Sequence, residues 1–323
     1  MENGTWKGPR PGMDWDLVVI LGPTASGKTR IAVRLAFELH SEIISADSRQ
    51  VYRGLDIGAG KDLSEYVIQG RKIPCHLIDI ADPALEEFSV FEFRKSFLAC
   101  FSLLRSKGVL PVLAGGTGLY LESVLLDYPL VEVAENPSLR EELAELDGET
   151  LKRRLLRLRP SLHNTTDIRE RDRLIRAIEI AEGSGNREPA GDAYGGATRP
   201  LVIGVRWDRP VLRERITRRL EERIREGMID EVKELRERGV SWEQLHRLGL
   251  EYRYVGLYLQ GRMPFEEMFR TLNTRIHQFA KRQETWFRRM EARGIAIHWV
   301  DRGDYDAVRA VVFGAGSRNP PGK

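Results

Sequence analysis

Cysteine is nearly absent from this 323-residue chain, with Cys75 and Cys100 the only two. With no CxxC pair and no Cys/His ligand spacing, neither a disulfide scaffold nor a zinc site is expected. Long apolar runs are missing as well. The longest, Leu17 to Leu21 and Val109 to Ala114, are far too short to span a bilayer, so no membrane partner is expected. Met1 to Met13 is polar, rich in Gly and Pro, and has no signal-peptide pattern, which makes a reducing cytoplasm the expected location. What the chain does have is 41% hydrophobic and 31% charged residues, a balance that supports a packed core and argues against wholesale disorder. Its length fits one large domain with an insertion, or two modest domains.

The net charge is only +3, but it is unevenly spread. Lys152 to Arg176 carries nine Lys or Arg against three acids, a local +6, and Arg270 to Arg293 carries seven against two, a local +5. Each run alone reads as a solvated helix face. Two of them in a phosphate-handling chain point toward a polyanionic partner.

The hydrophobic rhythm alternates strand and helix. Asp16 to Leu21 reads as a buried strand, Lys28 to Leu39 as an amphipathic helix, Glu42 to Ser45 as a second strand and His76 to Ile80 as a third. Phe91 to Lys107 is helical, and Val109 to Ala114 is a strand that runs into Gly115-Gly116-Thr117-Gly118. Such alternation implies an α/β fold, a mostly parallel sheet flanked by helices. From Val131 to Glu182 the chain turns polar and helical, Gly183 to Pro200 reads as a Gly-rich loop, and Leu201 to Arg206 returns to strand character. Leu212, Ile216, Leu220, Ile224 and Met228 form a helical core stripe. Pro264 to Arg293 is one or two further helices, and Ala296 to Val300 a closing strand. The expected organisation is a core of residues 14–130 and 198–302, an inserted all-helical domain at 131–197, and frayed tails at 1–13 and 314–323. Nothing requires an oligomer, so a monomer is the expectation.

Gly22-Pro23-Thr24-Ala25-Ser26-Gly27-Lys28-Thr29 fits G-x-x-x-x-G-K-[ST] at every fixed position, after a strand and opening a helix. Glycines let backbone N–H groups converge on one anion, the helix N-terminus adds partial positive charge, and Lys28 adds a full one. The Thr29 hydroxyl is placed to ligate a Mg²⁺ ion bridging two phosphates. The motif specifies a diphosphate or triphosphate and no more. In a kinase or ATPase it holds ATP, with a strand-end acid such as Asp79 on the metal. In a transferase it holds the diphosphate of another substrate as leaving group.

Asp47, after the second strand, either lies in the crevice where α/β sheets bind ligands or caps a helix. Thr117 follows a strand just as directly, and its bland reading is again a helix cap. Taken together, GPTASGKT (22–29), ISADSRQVYRGLDIGAGK (44–61), HLIDI (76–80), LAGGTGLYLES (113–123), RLIRAIEI (173–180) and AKRQETWFR (280–288) resemble the tRNA dimethylallyltransferase family, also called tRNA isopentenyltransferases. The pieces keep family order over residues 16 to 300. No zinc finger follows, which points to the bacterial-type branch.

The resemblance implies a P-loop NTPase-like core and transfer of a dimethylallyl group from dimethylallyl diphosphate to N6 of adenosine 37 in the tRNA anticodon stem-loop. An exocyclic adenine amine is a poor nucleophile, so a carboxylate that takes its proton is useful, and Asp47 matches the family's general base. Thr117 matches a residue near the target adenine, and Ser48, Arg49 and Gln50 would line the adenine side beside Asp47. Gly22, Thr24, Ala25, Ser26, Gly27, Lys28 and Thr29 would hold the diphosphate. Arg215 or Arg219 resembles an arginine that reaches it, with Arg219 assigned to the chemistry and Arg215 to binding. Arg140, Arg173, Arg176, Lys281 and Arg282 are the basic candidates for tRNA contact. The target base has to be turned out of its stacked loop, as RNA-modifying enzymes require.

Two departures stand out. Asp172 occupies a position where the family commonly has Gln, and Leu248 to Gly256 (LGLEYRYVG) replaces a shorter Gly-Tyr signature. The competing readings are a relative that prenylates free adenine nucleotide, a P-loop kinase or ATPase, and an RNA-binding module without catalysis.

Overall fold

The computed structural model describes residues 15–85, 87–126, 133–159, 171–184 and 198–314. The expected N-terminal tail, the expected C-terminal tail beyond Gly314 and most of the Gly-rich stretch lie outside the described residues. The chain divides into two compact units, Met1–Asp127 with Gly196–Lys323, and Tyr128–Gly195.

In the first unit, β1 (Leu17–Leu21) is fully buried and leads through the Gly22–Thr29 turn into α1 (Lys28–Glu38), whose Ile31, Ala32, Leu35 and Ala36 face the sheet. β2 (Ile43–Ala46) follows, then a two-stranded hairpin, β3 (Val67–Ile68) and β4 (Arg71–Lys72), and the short β5 (Cys75–His76). α2 (Val90–Ser106) starts at a capping box formed by Ser89 and Glu92. β6 (Val112–Gly115) runs directly to α3 (Gly118–Leu125).

The second unit holds α4 (Pro137–Ala144), α5 (Gly148–Leu158) and α6 (Arg171–Ser184). α4 and α5 are capped by the side chains of Asn136 and Asp147. They close on a small core of Leu143, Leu151, Leu155, Leu174 and Ile178.

The chain then returns to the first unit as β7 (Pro200–Arg206), α7 (Arg209–Arg225), α8 (Met228–Glu237), α9 (Trp242–Arg247), α10 (Leu250–Leu259), α11 (Phe265–Ala292), β8 (Ile297–Asp301) and α12 (Tyr305–Gly314). The apolar stripe from Leu212 to Met228 is split between two helices, since Gly227 has φ +102° and Met228 opens α8. By contrast, the stretch after Pro264 is one continuous helix of 28 residues. No helix among the described residues is long and apolar enough to cross a membrane.

The six-stranded sheet is parallel throughout and ordered β5-β2-β6-β1-β7-β8. Consecutive strands β1 and β2 leave β6 between them, while β7 lies on the other side of β1. That reversal is the switch point at which open parallel sheets bind ligands, outside the carboxyl ends of their strands. The loops after β1, β6 and β2 are therefore neighbours.

The HLIDI segment departs from its expected strand. Only Cys75–His76 pairs with β2, and Leu77 and Asp79 have φ of +60° and +57°, which no strand accommodates. Asp79 instead accepts a hydrogen bond from Lys61, whose buried ammonium also donates to Tyr52 O at 2.8 Å and to Asp56 Oδ1 at 2.6 Å. The carboxylate suggested as a metal ligand thus neutralises a buried lysine.

Candidate active site

The phosphate loop is shaped from within by Ala25 (φ +60°) and Gly27 (φ +83°), and held from outside by distant residues. Arg215 Nε donates to Ala25 O at 2.9 Å while its guanidinium lies 4.2 Å from the centroid of the Trp207 ring. Trp207 Nε1 donates to Ser26 O at 2.9 Å. The Ser26 hydroxyl is buried without a hydrogen-bond partner, a polar atom with unfilled capacity inside the loop. Burial lowers the Lys28 pKa to about 8; the Asp47 carboxylate opposes that shift, and Arg219 and Arg223 add to it.

Two strands away, Asp47 is half-buried at the end of β2. Its Oδ1 accepts the Arg49 N–H at 2.9 Å, an Asx-type turn rather than a helix cap, since no helix follows. Thr117 does occupy the N-cap position of α3, yet its side chain caps nothing. Its Oγ1 accepts the Ser48 N–H at 3.0 Å, and its own N–H donates to Ala46 O at 3.2 Å. These bonds tie the end of β6 to the end of β2 and bring Asp47, Ser48 and Thr117 into one corner. Among the described residues there is no cluster of three or more His, Cys, Asp or Glu that could cage a metal.

The chain as a whole resembles known proteins. Residues 50–290 match the sequence model of the IPP transferase family, and residues 15–80 match that of isopentenyl transferases. The tRNA dimethylallyltransferase 1 of Syntrophus aciditrophicus is 58% identical, over 93% of this chain and 98% of that protein. The chain belongs to the tRNA dimethylallyltransferase family. The crystal structure of the full-length tRNA isopentenylpyrophosphate transferase from Bacillus halodurans is 34% identical, covers 93% of this chain and 96% of that one, and superposes with a TM-score of 0.65. A eukaryotic dimethylallyltransferase acting on tRNA, 21% identical over 92% of this chain and 76% of that one, has the same fold with a TM-score of 0.68.

Within this family member, several expected contact residues have internal partners. Gln50 is buried, accepting from Ser45 Oγ at 2.9 Å and donating to Gly60 O at 3.0 Å, so its amide braces β2 against the following loop. Arg140 and Arg176 converge on the buried Glu179, and Arg176 also donates to Val133 O at 2.9 Å. Arg219 pairs with Asp62 at 2.5 Å. Arg49 is half-buried, while Arg173, Lys281 and Arg282 are exposed.

Other residues of the site were not legible beforehand. Gln283 is buried on α11, accepts the Thr24 N–H at 2.8 Å and donates to Gly116 O at 2.8 Å. One amide thus bridges the phosphate loop and the loop bearing Thr117. A Cβ on Gly118 would lie 2.3 Å from the Trp286 ring, so glycine is what lets α11 approach this loop. Trp286 Nε1 donates to the buried Glu122 at 2.8 Å, and Arg289 and Arg293 complete the shell of that carboxylate. Glu231 does similar work, accepting the N–H groups of Asp56, Ile57 and Gly58 and the Tyr252 hydroxyl. The AKRQETWFR segment contained Gln283 and Trp286, but nothing in its charge pattern distinguished an inward face from an outward one.

Proposed function

We propose that this protein transfers the dimethylallyl group of dimethylallyl diphosphate to N6 of adenosine 37 in a tRNA anticodon stem-loop, releasing diphosphate. The observation that carries this reading is the adjacency of the phosphate loop after β1 to the Asp47–Thr117 corner, with β6 between β1 and β2. A kinase or ATPase needs only the first of these. In the proposed reaction N6 forms a bond to the allylic carbon as the bond from that carbon to the diphosphate oxygen breaks. Asp47 takes the N6 proton. Thr117, turned away from the helix cap, and Ser48 border the position of the acceptor base. Negative charge grows on the departing diphosphate, where backbone N–H groups of the loop, Lys28, Arg215 and Arg219 offset it.

Mg²⁺ fits this donor set, because it is commonly held by one or two protein oxygens plus phosphates and water rather than by a carboxylate cage. Thr29 is the protein ligand we assign to it, and the ion would neutralise charge on the leaving diphosphate. The exposed Arg173, Lys281 and Arg282 are assigned to the phosphate backbone of the RNA. Arg140 and Arg176 are assigned to holding the 128–195 unit together, because their guanidinium groups surround Glu179. The test is transfer of label from dimethylallyl diphosphate, with Mg²⁺, to an anticodon stem-loop carrying adenosines at positions 36, 37 and 38. Labelled stem-loop RNA is the expected product. Turnover of AMP or ATP as acceptor, with none of RNA, would remove the tRNA assignment.

A further inference from the structure

Arg223 belongs to no motif read from the sequence, and its surroundings are unusual for a guanidinium. It lies on α7 one turn beyond Arg219 and two beyond Arg215, so the three share one helix face. It is only 8% exposed. Its Nη1 donates to Gly58 O at 3.2 Å, its Nε has no hydrogen-bond partner, and the nearest Glu251 oxygen stands off at 3.9 Å. A buried cation held this loosely is costly to the fold.

The position of that cation is informative. Gly60, at φ +62°, has guanidinium groups where a side chain would stand. A Cβ there would lie 1.6 Å from Arg223 Nη2 and 2.6 Å from Arg219 Nη2. Two guanidinium ends therefore crowd one glycine, and only one of them has a close carboxylate, Asp62 on Arg219. Arg215, on the same face, donates to Ala25 O of the phosphate loop at 2.9 Å, so the row of three guanidinium groups starts at that loop. Like charges gathered in one place are offset by a multiply charged anion nearby.

We propose that Arg223 is a positioning residue for the diphosphate: its buried charge strengthens the field that Arg219 and Lys28 present to the anion, without touching it. The inference rests on reading the phosphate loop as a diphosphate site. Arg223→Met alone would take away the cation facing the buried Glu251, so the informative variant is the double change R223M/E251Q, which removes both. Arg223→Lys keeps the charge and alters the hydrogen-bonding geometry.

Inorganic pyrophosphate with Mg²⁺ is titrated calorimetrically into the full chain. Thermal melting of each variant reports folding. The double variant is expected to melt as a folded protein and to bind pyrophosphate about tenfold more weakly, with a shallower salt dependence. Arg223→Lys is expected to stay within about threefold of the parent, because charge and not guanidinium geometry is what matters. Parental affinity in the double variant overturns the proposal. So does equal weakening in Arg223→Lys, which would make the residue a structural contact to Gly58, and so does a parent protein that binds no pyrophosphate. Because the probe is pyrophosphate, a parent that binds it yet modifies no RNA would sink the proposed function and leave this result standing.

Discussion

The phosphate loop and the Asp47–Thr117 corner sit on the same edge of one sheet, yet they are assembled in opposite ways. The loop offers mainly backbone N–H groups and one lysine, and residues far along the chain clamp it: Trp207, Arg215 and Gln283. The corner offers a side-chain carboxylate and hydroxyl groups, joined by short bonds between the ends of β2 and β6. A backbone cradle needs external bracing to keep its amides convergent, whereas side chains on strand ends inherit their spacing from the sheet. Damage to the two sides should therefore show up in different measurements.

The largest effect should come from the corner. Asp47→Asn is expected to lower the rate of transfer by about 10²–10⁴, with no loss of pyrophosphate affinity by calorimetry, since the change takes a negative charge away from the neighbourhood of Lys28. A loss of pyrophosphate binding as well would erase the distinction between the sides. Next in size is the residue that joins them. Gln283→Leu removes both of its hydrogen bonds, and a misplacement on the order of 1 Å between donor and acceptor can cost about 10²-fold. The expected signature is a lower kcat with the KM for each substrate little changed. A pure rise in the KM for dimethylallyl diphosphate would instead make Gln283 a part of the phosphate loop alone.

The smallest effect is a proton. Lys28 has its pKa lowered to about 8 by burial, against 10.5 for an ordinary lysine. Between those values the unfolded chain holds a proton that the folded chain has released, so this group's contribution to stability rises with pH across that window. A diphosphate beside Lys28 favours the charged form. Binding near pH 8.5 should then take up a fraction of a proton, seen as a dependence of the calorimetric enthalpy on buffer ionisation heat. Binding without proton uptake would show that Lys28 is already fully charged in the free protein.

Legibility followed the range of the interactions. The Gly22–Thr29 loop and the parallel sheet could be read directly, because strand, turn and helix signals are local. Asp47 and Thr117 became candidates only in combination, since each alone also fits a helix cap. Gln283, Glu122 and Glu231 were invisible, because a buried polar side chain is recognised by partners up to 259 residues away. The basic runs misled in part for the same reason. Arg289 and Arg293 surround Glu122, and Arg176 pairs with Glu179, so a count of charges mixed inward salt bridges with exposed cations. HLIDI failed as a strand because the pull of Lys61 on Asp79 and the positive φ angles could not be seen in an apolar pattern.

The Gln283 bridge also bears on the order in which the protein comes into being. Thr24 leaves the ribosome early, and the amide that holds it is 259 residues behind. At roughly 5–20 residues per second, the loop waits on the order of tens of seconds for its brace. A nascent chain released before α11 therefore carries the complete phosphate motif without the fixed geometry between donor and acceptor, and truncation there yields a protein with the signature but not the site.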